Sequence, residues 1–318
     1  MMKTVRLLLS ALLMLASAAV TAQPLVYFTS DITPESLVRI YKALGVEATG
    51  RVAVKISTGE GGNTHYLKPT LIRQLVEEVN GTIVECCTAY PGTRMDPQKH
   101  WETIHEHGFD SIFAVDLMDE YGQIRIPVQD HKHLRYNIVG NHLPNYDFMI
   151  NLAHFKGHAM GGFGGVLKNA SIGVASTAGK ANIHSVGITE DAGEMWNHID
   201  DQDGFLESMA AAAQAVHNYF NGRVIYINVM NNMSVDCDCD GHPAKPELQD
   251  MGIMASLDPV AVDQACLDMV FNYKGKPGDD NKPLIERINR QHGTYITEYA
   301  EQIGLGSKAY TLVNLDER

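Results

Sequence analysis

The side chains with chemistry to offer are concentrated in two stretches: a glycine-rich segment with histidines and a lysine, and a short loop with two cysteines among aspartates. The first reads NLAHFKGHAMGGFGGVLKN, residues 151–169. His154 and His158 stand four apart, so they share a face in either a helix or a strand. Gly157, Gly161, Gly162, Gly164 and Gly165 disfavour a regular helix, since each costs roughly 1 kcal/mol against alanine there. Gly161, Gly162, Gly164 and Gly165 are therefore expected to let a bound cofactor approach the backbone. Lys168 has two readings. It is a cation that holds an anionic ligand beside the loop amides, or, once desolvated and deprotonated, a nucleophile or base. His184 joins this site only if the fold returns it to the same pocket.

The second stretch, residues 236–242, reads DCDCDGH and packs two thiols, three carboxylates and an imidazole together. Thiolate and imidazole suit zinc, copper or iron, whereas carboxylates alone suit calcium or magnesium. Cys237, Cys239 and His242 could supply three ligands, with His154, His158 or His184 completing a tetrahedron. Two alternatives stay open: a Cys237–Cys239 disulfide, which so small a ring would leave readily reduced and hence suited to redox work, and an acidic turn with no metal. The whole site depends on one geometric expectation, that residues 158–184 and 237–242 line a common cleft. The other histidines, His100, His105, His107, His131 and His133, lack matching ligands and are expected on the solvated surface. Asp258-Pro259 reads as a helix start, with Asp258 as N-cap and Asp263 in the early turns.

The chain begins with Lys3 and Arg6, an apolar run from Leu7 to Leu15 and small residues up to Ala22. This is the pattern of a secretory leader with cleavage expected after Ala22, which implies a periplasmic or extracellular protein. Loss of Lys3 and Arg6 takes the net charge from −13 to −15, which argues against a nucleic-acid groove. No later apolar run is long enough to span a membrane. Five cysteines are too few for a disulfide-stapled scaffold, and adjacent Cys86 and Cys87 point to opposite faces of a strand, so at least one should be buried as a small apolar residue.

Strand-like and helix-like segments must position these residues, and they alternate. VAVKIS (52–57), TIVECC (82–87), SIFAVDL (111–117), IRIPV (124–128), FMINLA (148–153), VIYINVM (224–230) and YTLVNL (310–315) read as strands. Helices are expected near residues 68–79, 97–106, 203–219 and 282–302, and a further unit covers residues 252–273. The rhythm predicts one α/β domain over residues 23–318, doubly wound around a mostly parallel sheet, with room for a smaller inserted lobe near residues 120–200. In such sheets ligands gather beyond the carboxyl ends of the strands. The loops at 57–63, 157–165 and 236–242 all fall there.

With these residues in view, the sequence resembles the domain of unknown function 362 family. The matching blocks run in order: Val54-Lys55, His154 to His158, Leu167 to Asn169, Gln202 to Met209, the Cys237-Asp238-Cys239 loop, and Asp250 to Ala261. The resemblance implies no settled activity. Many members carry iron–sulfur segments, but this chain lacks the Cys-x-x-Cys-x-x-Cys run of a ferredoxin. A weaker resemblance is to the nickel-pincer lactate racemase family. It implies that His158 moves a substrate proton, Lys168 holds the cofactor and His184 binds nickel. Here residues 57–63 lack the family's Asp-x-x-Arg, so the resemblance implies a shared scaffold and pocket. The expected function is an exported protein holding zinc, iron or nickel, suited to redox or metal-assisted proton transfer on a small anion. An iron–sulfur electron carrier or a non-catalytic metal or solute binder are the alternatives.

Overall fold

The computed structural model describes residues 22–276 and 278–317. The expected leader, residues 1–22, lies outside the described residues but for Ala22. In chain order the strands and helices are β1 (Leu25–Thr29), α1 (Pro34–Ala43), β2 (Val52–Lys55), α2 (Pro69–Glu78), β3 (Gly81–Glu85), α3 (Pro97–Glu106) and β4 (Val115–Leu117). Then come β5 (Gln123–Pro127), β6 (Tyr136–Gly140), β7 (Phe148–His154), β8 (Lys156–His158), β9 (Gly162–Gly164), α4 (Val166–Ser171), α5 (Thr177–His184) and α6 (Gln202–Tyr219). The chain closes with β10 (Val224–Met230), β11 (Gly252–Ser256), α7 (Pro259–Asn272), α8 (Lys282–Arg290), α9 (Tyr295–Gln302) and β12 (Thr311–Asn314).

Eight strands form one sheet in the order β12-β1-β11-β10-β7-β2-β3-β4. All its pairings are parallel except those of β11, which runs antiparallel to both β1 and β10. Two small hairpins, β5 with β6 and β8 with β9, occupy the region expected to hold a smaller lobe. Strand side chains alternate between two cores. On β7, Met149 and Ala153 join Val166, Leu167, Phe205, Met209 and Val260 of α4, α6 and α7. Phe148, Ile150 and Leu152 face the other way, to Leu37, Ile72 and Ile104 of α1, α2 and α3. Helices thus cover both faces, as a doubly wound α/β fold requires.

Local chemistry sets the helix starts. Thr33, Asp96, Asp201 and Asp258 each cap a helix through a side-chain oxygen, and Pro34, Pro97 and Pro259 follow three of them. The single helix expected over 282–302 is two helices, broken where His292 (φ 50°) and Gly293 intervene. The strand expected at 111–117 keeps only its last three residues. At one side of the sheet β1 lies between β11 and the edge strand β12, and both of these partners lie at the far end of the chain. Asp316 fastens it, accepting from Thr29 Oγ1 (2.6 Å) and the Ser30 N–H (2.7 Å).

Candidate functional site

The four adjacent parallel strands β10, β7, β2 and β3 send their following loops over one end of the sheet. Those loops, with α4 and α5, surround a cavity of about 520 Å³. The common cleft expected from the sequence is there: His158, Lys168, His184, Cys237 and Cys239 all line it.

Its floor is a set of buried charges. Lys55, the last residue of β2, donates to Glu85 Oε2 (2.8 Å), to Asn169 Oδ1 (3.3 Å) and to the Ile56 carbonyl. Glu85 Oε1 also accepts from the Thr58 N–H (2.8 Å) and Arg94 Nη1 (3.2 Å). Arg94 reaches Glu60 Oε2 through Nε (3.4 Å) and the Tyr90 hydroxyl through Nη2 (3.0 Å). Burial alone would push the Glu85 carboxyl up, but Lys55 and Arg94 outweigh it and hold it well below the usual range. Sequence reading missed Glu85 and gave Arg94 no role. The available signal was Lys55 itself, a lysine ending a strand of otherwise apolar residues, since a cation so buried needs a carboxylate partner.

The cysteine loop forms one wall. Cys237 and Cys239 are joined as a disulfide. Candidate donor atoms of His158, Cys237 and Cys239 nevertheless lie within 4.8 Å of one another. Asp238, between the cysteines, points inward: it forms an ion pair with Lys156 Nζ (2.7 Å) and meets His154 Nδ1 (2.8 Å), while its carbonyl accepts from the Glu60 N–H (2.7 Å). From outside, Arg287 grips the Val235 carbonyl (2.8 Å) and Asp236 (3.1 Å). Gly157 permits this packing, because a β-carbon there would strike the Val235 backbone.

Two expected ligands stand apart from the cluster. His154 has both ring nitrogens engaged, by Asp238 and by the Asn231 carbonyl (2.5 Å), so neither is turned toward a metal at the cysteines. His242 is exposed, with its ring beside Gly62, and does not line the cavity.

The other two histidines differ in tautomer. His158 Nδ1 accepts the Gly161 N–H (2.8 Å) and the Met160 N–H (3.3 Å), so the neutral ring carries its proton on Nε2. Burial, together with the Lys168 charge, pushes the His158 imidazole well below its ordinary value. His184 is the reverse: Nδ1 donates to the Lys180 carbonyl (2.7 Å), which leaves Nε2 with its lone pair. Burial takes His184 down to about 4. Among the described residues the Lys168 amine makes no hydrogen bond or ion pair. Desolvation, then the charges of Lys156 and Arg94, bring it down to about 7.

The glycines do not take the role expected of them. Gly161, Gly162, Gly164 and Gly165 are buried, and none lines the cavity. Gly162 (φ 80°) packs against Ile288 and Gly293, and Gly164 against Lys156. The amides opening α4 are taken by Asp263, whose carboxylate accepts from Val166 (2.9 Å) and Leu167 (2.9 Å) as well as Asn228 Nδ2 (2.7 Å). An internal carboxylate fills the place of an external anion. Three histidines expected on the surface are not there either. His100 is fully buried beside Thr58, and burial takes it down to about 3. His107 bonds the Thr58 carbonyl (2.8 Å) and stacks on Tyr66, and His133 meets buried Glu207 (2.5 Å). Cys86 and Cys87 are both buried free thiols.

The family model described as Domain of unknown function (DUF362) matches residues 52–268, more than half of the chain. The chain belongs to this family. The DUF362 match runs from β2 into α7 and contains every residue that lines the cavity. No curated protein matches the sequence. Among solved structures, the DUF362 chain is similar to the lactate racemase apoprotein of Thermoanaerobacterium thermosaccharolyticum, at 14% identity over 78% of this chain and 57% of that one, with a TM-score of 0.42. It is also similar to a protein from Thermotoga maritima, at 11% identity over 85% of this chain and 58% of that one, with a TM-score of 0.41. The chain thus spans less than two thirds of either structure. No helix among the described residues is long and apolar enough to cross a membrane.

Proposed function

We propose that this is an exported α/β protein, a leader followed by one domain, that holds a transition metal when its cysteines are reduced and acts on a small anion. One observation carries the reading: donor atoms of His158, Cys237 and Cys239 converge within 4.8 Å at the wall of a cavity that also exposes Lys168. As a disulfide the two sulfurs are poor ligands. Two electrons and two protons from a dithiol reductant convert them to thiols, and binding zinc, iron or nickel then displaces the protons. His158 would join by exchanging the Gly161 and Met160 N–H groups at Nδ1 for the metal, or by losing its Nε2 proton. Three protein ligands leave a coordination position toward the cavity, the arrangement associated with catalysis rather than with closed structural sites. Lys168 would orient the anion, and redox or metal-assisted proton transfer is the chemistry such a site supports.

The test is zinc uptake before and after reduction with a phosphine, read by equilibrium dialysis and elemental analysis. Reduced protein should take up about one zinc per chain, and oxidised protein and a Cys237→Ser, Cys239→Ser variant much less. Equal uptake by all three would refute the proposal. The disulfide favours a second reading, a dithiol–disulfide exchange centre without metal. That reading gains if the reduced protein transfers electrons to a small disulfide yet takes up no zinc.

A further inference from the structure

We propose that the ligand of this cavity is a carboxylic acid with a bulky apolar tail, its carboxylate on Lys168 and its tail along Trp196. The inference rests on the proposed reading only in placing an anion at Lys168. Three observations support it.

The first is the charge balance of the lining. Glu85 is committed to Lys55, Thr58 and Arg94, and Glu60 to Arg94, Thr93 and Tyr90. Asp236 is held by Arg287. Arg94 is held between the Glu85 and Glu60 carboxylates, with Ser57 and Tyr90 as further partners, and Lys180 Nζ donates to the Ala175 carbonyl (2.5 Å). Among the described residues Lys168 is the cation of the lining left without a hydrogen-bond or ion-pair partner, and the remaining lining carboxylate, Asp240, accepts from the His242 N–H (2.8 Å) rather than from Lys168. The second is the neighbouring donor. His158 presents Nε2–H, because its Nδ1 is occupied by backbone N–H groups. An ammonium and one N–H suit the two oxygens of a carboxylate, whereas a phosphate brings more charge and more acceptors than this pair satisfies.

The third is the rest of the wall. The cavity, at about 520 Å³, lies in the size range of sites for drug-sized molecules and far exceeds what a two- or three-carbon acid fills. Beyond the polar floor it is lined by Ile172, Met195, Met160 and Trp196. Trp196 stands on a short 3-10 turn (Glu194–Asn197) with 43% of its surface exposed. A large indole left open at a cavity wall leaves apolar surface to be covered by a ligand.

The chain has two tryptophans, so Trp101→Phe makes Trp196 the sole indole reporter. This oxidised, metal-free protein is titrated at pH 6, where the Lys168 amine is mostly charged, with 4-phenylbutyrate, 4-phenylbutanol and acetate while Trp196 emission is followed. The acid should bind saturably, about 10- to 100-fold more tightly than the alcohol, the range expected of a charge-assisted hydrogen bond, and more tightly than acetate. Lys168→Met should reduce the acid to the alcohol's affinity, and Lys168→Arg should restore most of the difference. Equal affinity of acid and alcohol, acetate binding as tightly as the phenyl acid, or no saturable change with any of them would overturn the proposal. Because no metal is present, this result is independent of the zinc titration, and either proposal can fail alone.

Discussion

Asp263 sits on α7, fully buried, and holds the first turn of α4, the helix that carries Lys168. Replacing Asp263 with alanine orphans the Val166 and Leu167 N–H groups and the Asn228 amide together. Each dry unpaired donor costs about 1–3 kcal/mol, so after partial relaxation the variant should lose roughly 3–5 kcal/mol at pH 4.5. The cost should change with pH in a definite direction. Burial raises the Asp263 carboxyl to about 6, against the opposing hydrogen bonds of Asn228, Leu167 and Val166. Its folded pKa therefore exceeds the unfolded value of about 3.9, and the folded state binds the extra proton between the two. The wild type is favoured by this group below about 3.9 and loses that advantage as pH rises through about 6. The full shift is worth about 3 kcal/mol, of which about 2 kcal/mol falls between pH 4.5 and 7.5. Alanine has no such titration, so the cost of the substitution should shrink by about 2 kcal/mol at pH 7.5. Urea unfolding of both proteins at the two pH values measures it. A cost below about 1 kcal/mol at both, or one that grows with pH, would refute the reasoning.

Two other consequences can be checked directly. The Lys168 amine, lowered to about 7 by desolvation and neighbouring cations, is mostly neutral at pH 8, where an ordinary lysine is neutral to only about one part in 250. Limiting acetic anhydride should therefore modify Lys168 before the surface lysines, its rate falling about tenfold per pH unit below about pH 7 while the preference persists; peptide mass spectrometry showing it among the last to react would contradict the assignment. Lys55→Met leaves Glu85 charged and short of its main partner in a dry floor, and should cost about 3–5 kcal/mol in urea unfolding. Adding Glu85→Gln should recover part of that loss; a double variant less stable than the single would show that the charge pair is not what stabilises the floor.

Segments whose burial is uniform were legible from sequence. VIYINVM and FMINLA became fully buried central strands, because residues covered on both faces have no polar alternation to blur the pattern. The first strand and helix escaped notice: LVYFT lies one strand in from the sheet edge with a mixed burial pattern, and its partners come from residues 252–256 and 311–314. The cleft was legible because its residues follow the carboxyl ends of adjacent parallel strands, a rule of topology. The roles within it were less so. His154, His158 and His184 look alike in sequence, yet Asp238, the Gly161 N–H and the Lys180 carbonyl give each a different hydrogen-bond partner. Those partners are set by folding, and for His154 the carboxylate lies 84 residues away. His100 did leave a signal: with Thr103 and Ile104 it forms an i, i+3, i+4 stripe, the buried face of α3.

The placement of β1 bears on when this molecule can fold. Leu25–Thr29 leaves the ribosome first among the described strands, yet the segments that complete its hydrogen bonding are among the last synthesised. During elongation the sheet can assemble outward from β2, β3 and β7, while the N-terminal ribbon waits with its amides and carbonyls unsatisfied. The sheet of the described residues is therefore complete only once residues 252–256 and 311–314 have joined the first strand. A fold whose first described strand waits for its last keeps an open seam until the two ends meet.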